Sequence, residues 1–494
     1  MHFTCKNNMM MVNRRFFLQL HVFLFLLGAV LHAQEPLRVS LVSAVDSAMK
    51  NNTLIRRYRQ AVAEKEQMRK ASLGNYFPSL DVMGGYTWVS ENPEVNMSKM
   101  KESVDEMFGY YGAHIANELG LSDEAQEVIY QRIVSRLGQL PVYNVVIDQQ
   151  QYPNLNIVAT QPLFLGGKII AGKRFAEADL GYSSAELEKV SNEVTRETIE
   201  RYFGVVLLQQ VVAVRRNVVA GMQRHERDAR RAIEIGVIPS HELLRAKVAV
   251  ANAERDMIDD QNRLELALLA LKASMGLPDT VVVEVTDSLV FRVVPLEVTG
   301  LKNEAVAQQP LFRMINQQKA MVRQKHALVR SEFMPQIAAW GQYNAFGNNY
   351  PVTLPPFFVG VQAHFNIFHG MEKYNKLKAT RYLSEQVELA DKYAHEQINL
   401  LVDKSWREVI NKRERYLKME PTVELAEKNL EINEKRFREG LAKSTDVIDA
   451  RLLYEGAEVE RLKSLYDYYL AIANLYLATG NARKALEMLN FSSK

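Results

Sequence analysis

The sequence predicts an α+β membrane protein made of two copies of one unit, each combining long helical hairpins with two β-strands. Three observations carry this. Matched segments recur at constant offsets. Two helical runs of about 68 residues each, on the order of 100 Å long, exceed what a globular core needs. Four alternating segments have the length of tilted membrane-crossing strands.

The first 33 residues read as a secretory signal. Arg14 and Arg15 precede the apolar run FFLQLHVFLFLLGAVLHA, which is too short and too poorly flanked to span a bilayer. NRRFFLQ resembles a twin-arginine signal but lacks the serine before the arginines, so an ordinary signal with cleavage after Ala33 is expected. Lys6, Arg14 and Arg15 lie in this leader; removing them from the 61 basic residues leaves 58, against 58 acidic ones. A neutral secreted chain with no basic block argues against a nucleic-acid partner. The sole cysteine, Cys5, also lies in the leader, so neither disulfide nor thiol chemistry nor a lipid-anchored cysteine is expected.

The first unit spans residues 34–276. Its opening is helical from Ser40 to Asn75, with Ala44, Ala48, Ile55, Tyr58 and Val62 recurring at three and four. Pro78 ends that pattern at a helix-strand junction, and the period becomes two through Leu80, Val82, Gly84, Tyr86 and Trp88. A long loop, 89–153, precedes a second strand, Leu155 to Leu163. Helix then runs without a breaker from Lys168 to Ile235, turns at a tip over 236–240 and returns from Ser240 to Met275.

A β-leaning connector, 277–300, leads to the second unit, 301–480, and a tail, 481–494. The same order recurs: helix to Phe333, Pro335 at the junction, strands Ile337 to Phe346 and Phe357 to Phe368, helix Met371 to Glu439, a tip over 440–444, and helix Ser444 to Thr479. Leu54 and Leu311, Pro78 and Pro335, Gly84 and Gly341, Tyr86 and Tyr343 stand 257 residues apart. Phe164 and Phe368, Gly236 and Gly440, Ser240 and Ser444, Gly276 and Gly480 stand 204 apart, so the first copy carries the extra length in its 89–153 loop. Pro421, inside the last long helix, is expected to kink or locally break it.

Near the end of that helix Val423, Ala426, Leu430 and Phe437 form one apolar seam, while Leu425 and Ile432 form another roughly 150° away. A two-stranded coiled coil needs one seam; two imply neighbours on both sides, as in the wall of a cylinder. In the strands, Val359, Val361, Ala363, Phe365 and Ile367 make one face, and Gly360, Gln362, His364 and Asn366 the other. Four strands cannot close a barrel alone and lipid does not tolerate open edges, so the barrel is expected to be shared between chains.

The paired tips IEIGVIPS and REGLAKS, the junctions NYFPSL and EFMPQI, and the full duplication together resemble the TolC-like outer-membrane efflux protein family. The resemblance covers essentially the whole secreted chain. It implies a homotrimer in the cell outer membrane, with four strands per chain in a twelve-stranded barrel and a helical tunnel reaching into the periplasm. It also implies tips that meet a periplasmic adaptor (membrane fusion protein) and an inner-membrane transporter, with no cofactor. Carried over to this sequence, the tip residues are Gly236, Val237, Ile238, Ser240, Gly440, Leu441, Ala442 and Ser444. The glycines suit left-handed C-caps and the serines suit N-caps. The helical wheel adds His225, Asn429, Asn433 and Arg436 as tunnel-lining or gate residues. The loop 89–153 departs from the family, whose first extracellular loop is short. It reads as a tolerated insertion, a cap over the outer mouth and a surface-partner site being the other readings.

No catalytic constellation stands in the sequence. HELLR at His241 lacks the second zinc ligand of H-E-x-x-H, LGGK at Leu165 lacks the rest of a phosphate loop, and no nucleophile motif occurs. The expectation is a passive duct, not an enzyme, with drug efflux and polypeptide secretion left open. The rival reading is a soluble periplasmic coiled-coil scaffold or adaptor. Against it stand the duplication, the two seams and the aromatic strand ends Tyr86, Trp88, Tyr343 and Phe357, which suit a membrane-interface girdle.

Overall fold

The computed structural model describes residues 36–142, 145–148, 150–294, 297–346 and 355–489. The expected signal segment and the last residues of the tail lie outside them. The first half contains β1 (Leu37–Val39), α1 (Leu41–Asn51), α2 (Thr53–Gly74), β2 (Ser79–Trp88), β3 (Glu94–Val95), α3 (Ser98–Glu118), α4 (Asp123–Gly138), β4 (Val145–Val146), β5 (Gln151–Phe164), α5 (Lys168–Glu234) and α6 (Ser240–Met275). The second contains β6 (Val283–Val285), α7 (Val298–Gln308), α8 (Pro310–Ser331), β7 (Gln336–Asn344), β8 (Phe357–His364), α9 (Glu372–Arg438), α10 (Ser444–Ala478) and α11 (Ala482–Leu489). Two compact units cut across the repeats: a helical body (up to residue 70, 174–326, and from 378) and a sheet unit (71–173 and 327–377).

The long helices α5 and α9 have the expected extents, and α9 runs unbroken through Pro421. By length and composition α5 could pass for a membrane span. Its Ile199, Tyr202, Phe203, Val205 and Val206 are instead fully buried, against Leu271 and Met275 of α6, Val402 and Val409 of α9 and Leu465, Tyr468, Tyr469 and Ile472 of α10. Buried tyrosines also need hydrogen-bond partners, and here they hold the connector. Tyr202 donates to Asp287 Oδ2 (2.7 Å), Tyr469 to the Val290 carbonyl (2.6 Å) and Tyr468 to the Arg292 carbonyl (3.1 Å). The connector's strand β6 pairs in parallel with β1.

The opening helix of each unit is two helices, not the single ones expected. The breaks fall at Asn52 and Gln309, equivalent positions 257 apart, both with extended ψ. Pro310 disfavours helical backbone at Gln309, and Asn52 caps α2 by accepting from Leu54 N (2.9 Å). Each break is tied to the end of its returning helix: Asn52 Nδ2 donates to the Ser274 carbonyl (2.9 Å), and Gln309 Nε2 to the Ala478 carbonyl (3.1 Å). Gly276 and Gly480 fit against these breaks at φ 68° and 81°. The duplication therefore reaches individual hydrogen bonds.

Of the two seams on α9, Ala426, Leu430 and Phe437 are buried within the chain, whereas Leu425 and Ile432 stay exposed. Leu389 and Leu400 extend the open seam, and Leu244, Val248, Ile258 and Leu266 form a similar exposed stripe on α6.

The sheet unit is a four-stranded antiparallel sheet in the order β2-β5-β7-β8. Strands β7 and β8 end two and four residues short of the expected limits, leaving Phe365, Ile367 and Phe368 beyond the sheet. The register puts Leu80 beside Ala159, Val82 beside Ile157, Ile157 beside Tyr343, and Tyr343 beside Phe357 on one apolar face. Asp81, Asn154, Asn156, Gln342, Gln362 and Trp340 lie on the other, where Gln342 Nε2 donates to Asn156 Oδ1 (3.0 Å). Pro78 and Pro335 stand just ahead of β2 and β7 as expected.

Candidate functional site: the helix-hairpin tips

The two tips are built alike. Gly236 and Gly440 both have φ of 76°, a left-handed conformation that costs a side-chain-bearing residue roughly 1–2 kcal/mol. Gly236 N donates to the Ile233 carbonyl (2.9 Å) and Val237 N to the Ala232 carbonyl (2.8 Å); Gly440 and Leu441 repeat the pattern onto Phe437 (3.0 Å) and Arg436 (2.8 Å). These pairs satisfy the carbonyls left open where a helix ends. A Cβ on Gly440 would stand 3.2 Å from Val237 Cγ1, so the two tips are adjacent.

The serines do not cap the returning helices. Pro239 and Lys443 hold the N-cap positions in extended backbone, and Lys443 N is satisfied by Asp446 Oδ2 (2.8 Å). Ser240 is exposed, while Ser444 is fully buried, which removes it from any tip contact surface. Ile238 and Ala442 turn inward with Leu243 onto a small core of Ala229, Ala246, Phe437 and Val447. Val237 and Leu441 point outward, joined by Ile235, which the sequence reading missed and which at 76% is the most exposed of these three apolar side chains.

His225 belongs to this core and does not line an aqueous face. It is 5% exposed, its Nε2 lies 2.7 Å from Ser444 Oγ, and its ring tilts onto Phe437 at 4.6 Å. Burial is the largest influence on it and pushes its pKa down to about 4, with Arg451 adding to the shift and Asp228 and Glu242 opposing it. Position 225 is the repeat partner of Asn429, but Asn433 and Arg436 correspond to Ala229 and Ala232. That face of α5 packs against the second hairpin; on α9 Asn429 and Arg436 stay exposed, and Asn433 Nδ2 donates to the Asn429 carbonyl (2.9 Å).

Sequence reasoning also missed a buried charged layer joining the hairpins. Buried Glu242 accepts from Ser444 N (3.2 Å). Arg451 pairs with Glu434, in space that a Cβ on Gly221 would fill. Arg215 bridges Asp260 (2.8 Å) and Glu455, and Arg263 also reaches Asp260 (2.9 Å). Asp260 and Glu455 are almost wholly buried, so their charges need these partners. The signal was present in the failures of the repeat, since Arg451 and Glu455 answer Lys247 and Ala251. Among the described residues no cluster of His, Cys, Asp and Glu is placed to hold a metal ion.

Residues 147–277 match the family described as Outer membrane efflux protein. No curated protein matches the sequence. Among solved structures, the outer-membrane channel OprN is 13% identical with a TM-score of 0.69, covering 89% of this chain and 90% of its own. The Campylobacter jejuni CmeC outer membrane channel is 14% identical (TM-score 0.67; 91% and 88% covered), and the open state of the Neisseria gonorrhoeae MtrE outer membrane channel 14% (0.67; 90% and 89%). The chain has the fold of these channels, long helices with barrel strands, over nearly its full length.

Proposed function

We infer that this chain is a protomer of an outer-membrane efflux channel and belongs to the outer membrane efflux protein family. Three copies supply twelve strands to one barrel and their helical hairpins to a periplasmic tunnel. The observation that carries this reading is a four-stranded sheet with one apolar face and, among the described residues, two unpaired edges, β2 and β8. Such a sheet is stable in lipid only when neighbouring copies close it. The unfilled seams Leu425 and Ile432 of α9 and Leu244, Val248 and Ile258 of α6 supply the matching contacts between helical bodies. A soluble scaffold would instead hold Leu80, Val82, Tyr86, Trp88, Val359 and Val361 in water, an apolar surface that soluble monomers rarely expose.

Cargo moves passively and an inner-membrane transporter supplies the energy. The exposed tip residues Ile235, Val237 and Leu441 offer the periplasmic adaptor an apolar contact, shaped by Gly236 and Gly440. Asn429, Asn433 and Arg436 face the tunnel near its inner end, where a threefold set stands around the axis. Cross-linking Asn433→Cys between protomers is expected to abolish transport, with recovery on reduction. Undiminished flux through fully cross-linked protein would contradict the placement.

A further inference from the structure

The long loop after β2 is a built helical hairpin. The β2–β5 ribbon continues past Trp88 through Val89 N donating to the Gln150 carbonyl (3.0 Å), Ile147 N to the Pro93 carbonyl (2.9 Å), an Asn92–Asp148 side-chain bond (3.0 Å) and the β3–β4 pair. It then opens into α3 and α4, which pack very closely. A Cβ on Gly109 would stand 2.6 Å from Val134 and 2.7 Å from Tyr130, and one on Gly112 would overlap Ile133. Lys101 closes the open end by pairing with buried Asp105 (2.5 Å) and donating to the Leu137 carbonyl (2.6 Å).

That packing uses one side of α3: Lys101, Asp105, Gly109, Gly112 and Ala116. Beside it runs a second stripe with no partner among the described residues, Met100, Val104, Phe108, Tyr111, Ile115 and Leu119, all exposed. Its members repeat every 11 residues, Met100 to Tyr111, Val104 to Ile115 and Phe108 to Leu119. At close to three helical turns per repeat, this keeps the stripe straight along the helix, the pattern of a seam between helices. On α4, by contrast, the exposed side chains are mostly polar, Glu124, Glu127, Gln131, Arg132 and Arg136, with Val128 the exposed large apolar one.

We propose that this stripe is a contact between copies of the chain: in the trimer the three 98–138 hairpins meet through α3 and form a helical cap on the outer side of the barrel. The proposal rests on the trimeric reading above. The hairpin joins β2, the sheet edge that a neighbouring copy must pair, to its inner neighbour β5, so it stands beside the boundary between protomers and continues that interface. Lipid is a poorer occupant. Six residues, 89–94, separate Trp88, at the aromatic end of the apolar face, from Val95, a seven-residue step that takes the hairpin's foot up to roughly 20 Å along the ribbon beyond that end. The insertion is then part of the assembly, in place of the tolerated elaboration expected from sequence.

The test is oxidative cross-linking of the full-length protein, purified in detergent, with single cysteines at Tyr111, Ile115 or, as control, Gln131 on the polar side of α4. Oligomer mass is read from each sample. Tyr111→Cys and Ile115→Cys are expected to give disulfide-linked protomers on the order of tenfold more readily than Gln131→Cys, because contact replaces chance encounter. Trimer mass without that excess would overturn the cap and leave the trimer standing. A mass other than that of a trimer would remove the assembly, and the cap with it.

Discussion

Replacing Gly480 by alanine is expected to destabilise the helical body by about 3 kcal/mol, from left-handed backbone strain and overpacking together. Gly480 sits at φ 81°, and its Cβ would lie 2.5 Å from Gln309 Cα and 2.7 Å from Gln309 N. Backbone blocks it, so no rotamer change relieves the clash. The Gln309 bond to the Ala478 carbonyl would be lost as the α7–α8 break moved away. Gly276→Ala should repeat the effect, since its Cβ would meet the Asn51 carbonyl oxygen at 2.6 Å. Gly300→Ala is the control: no heavy atom lies within 4 Å of its Cβ position and its φ is not positive, so it should be neutral or stabilising by roughly 0.5–1 kcal/mol. The melting midpoint of the detergent-solubilised protein reads all three. Unchanged melting of Gly480→Ala would mean that the break does not hold the returning helix.

Acidification should loosen the tips through His225. Its pKa in the folded tip, about 4, is below the ordinary value of 6.5, so the folded state resists protonation that an opened tip accepts. The stability this group provides is complete above about pH 6.5 and is lost as pH falls toward 4. At pH 5 the loss amounts to about 2 kcal/mol. Asp228, Glu242 and Arg451 face the same ring but do not reverse the sign, because burial outweighs them. Hydrogen exchange over 225–250 and 434–450, corrected for intrinsic rates, should show this loss between pH 7 and 5. His225→Gln should flatten the dependence; an equal acid response in that variant would assign it to the carboxylates instead.

What the sequence disclosed depended on whether a feature leaves a trace in one chain. Gly236 and Gly440 take the left-handed backbone expected of them at the tips, and Gly276 and Gly480, which the sequence pairs only by spacing, take it too, because few other residues tolerate it. The Gln309–Pro310 break is legible in the sequence through its proline; the one at Asn52 has no proline and shows only through its partner. Ser240 and Ser444 failed as caps because capping depends on a one-residue register. His225 failed because a helical wheel treats repeated helices as equivalent, whereas the second hairpin buries this face of α5. Ala229 and Ala232, standing where α9 has Asn433 and Arg436, were the available warning. The 98–138 hairpin was visible as amphipathic sequence, but its free stripe could be identified only once Gly109 and Gly112 had fixed the face that packs on α4.

The most direct test of the duct is single-channel recording of the purified protein in a planar bilayer, with oligomer mass taken from the same preparation. The account predicts stable trimers that insert and give discrete, mostly closed conductances. Correctly folded protein that stays water-soluble as a monomer or dimer, with no conductance, would contradict it: the sheet would then never meet lipid.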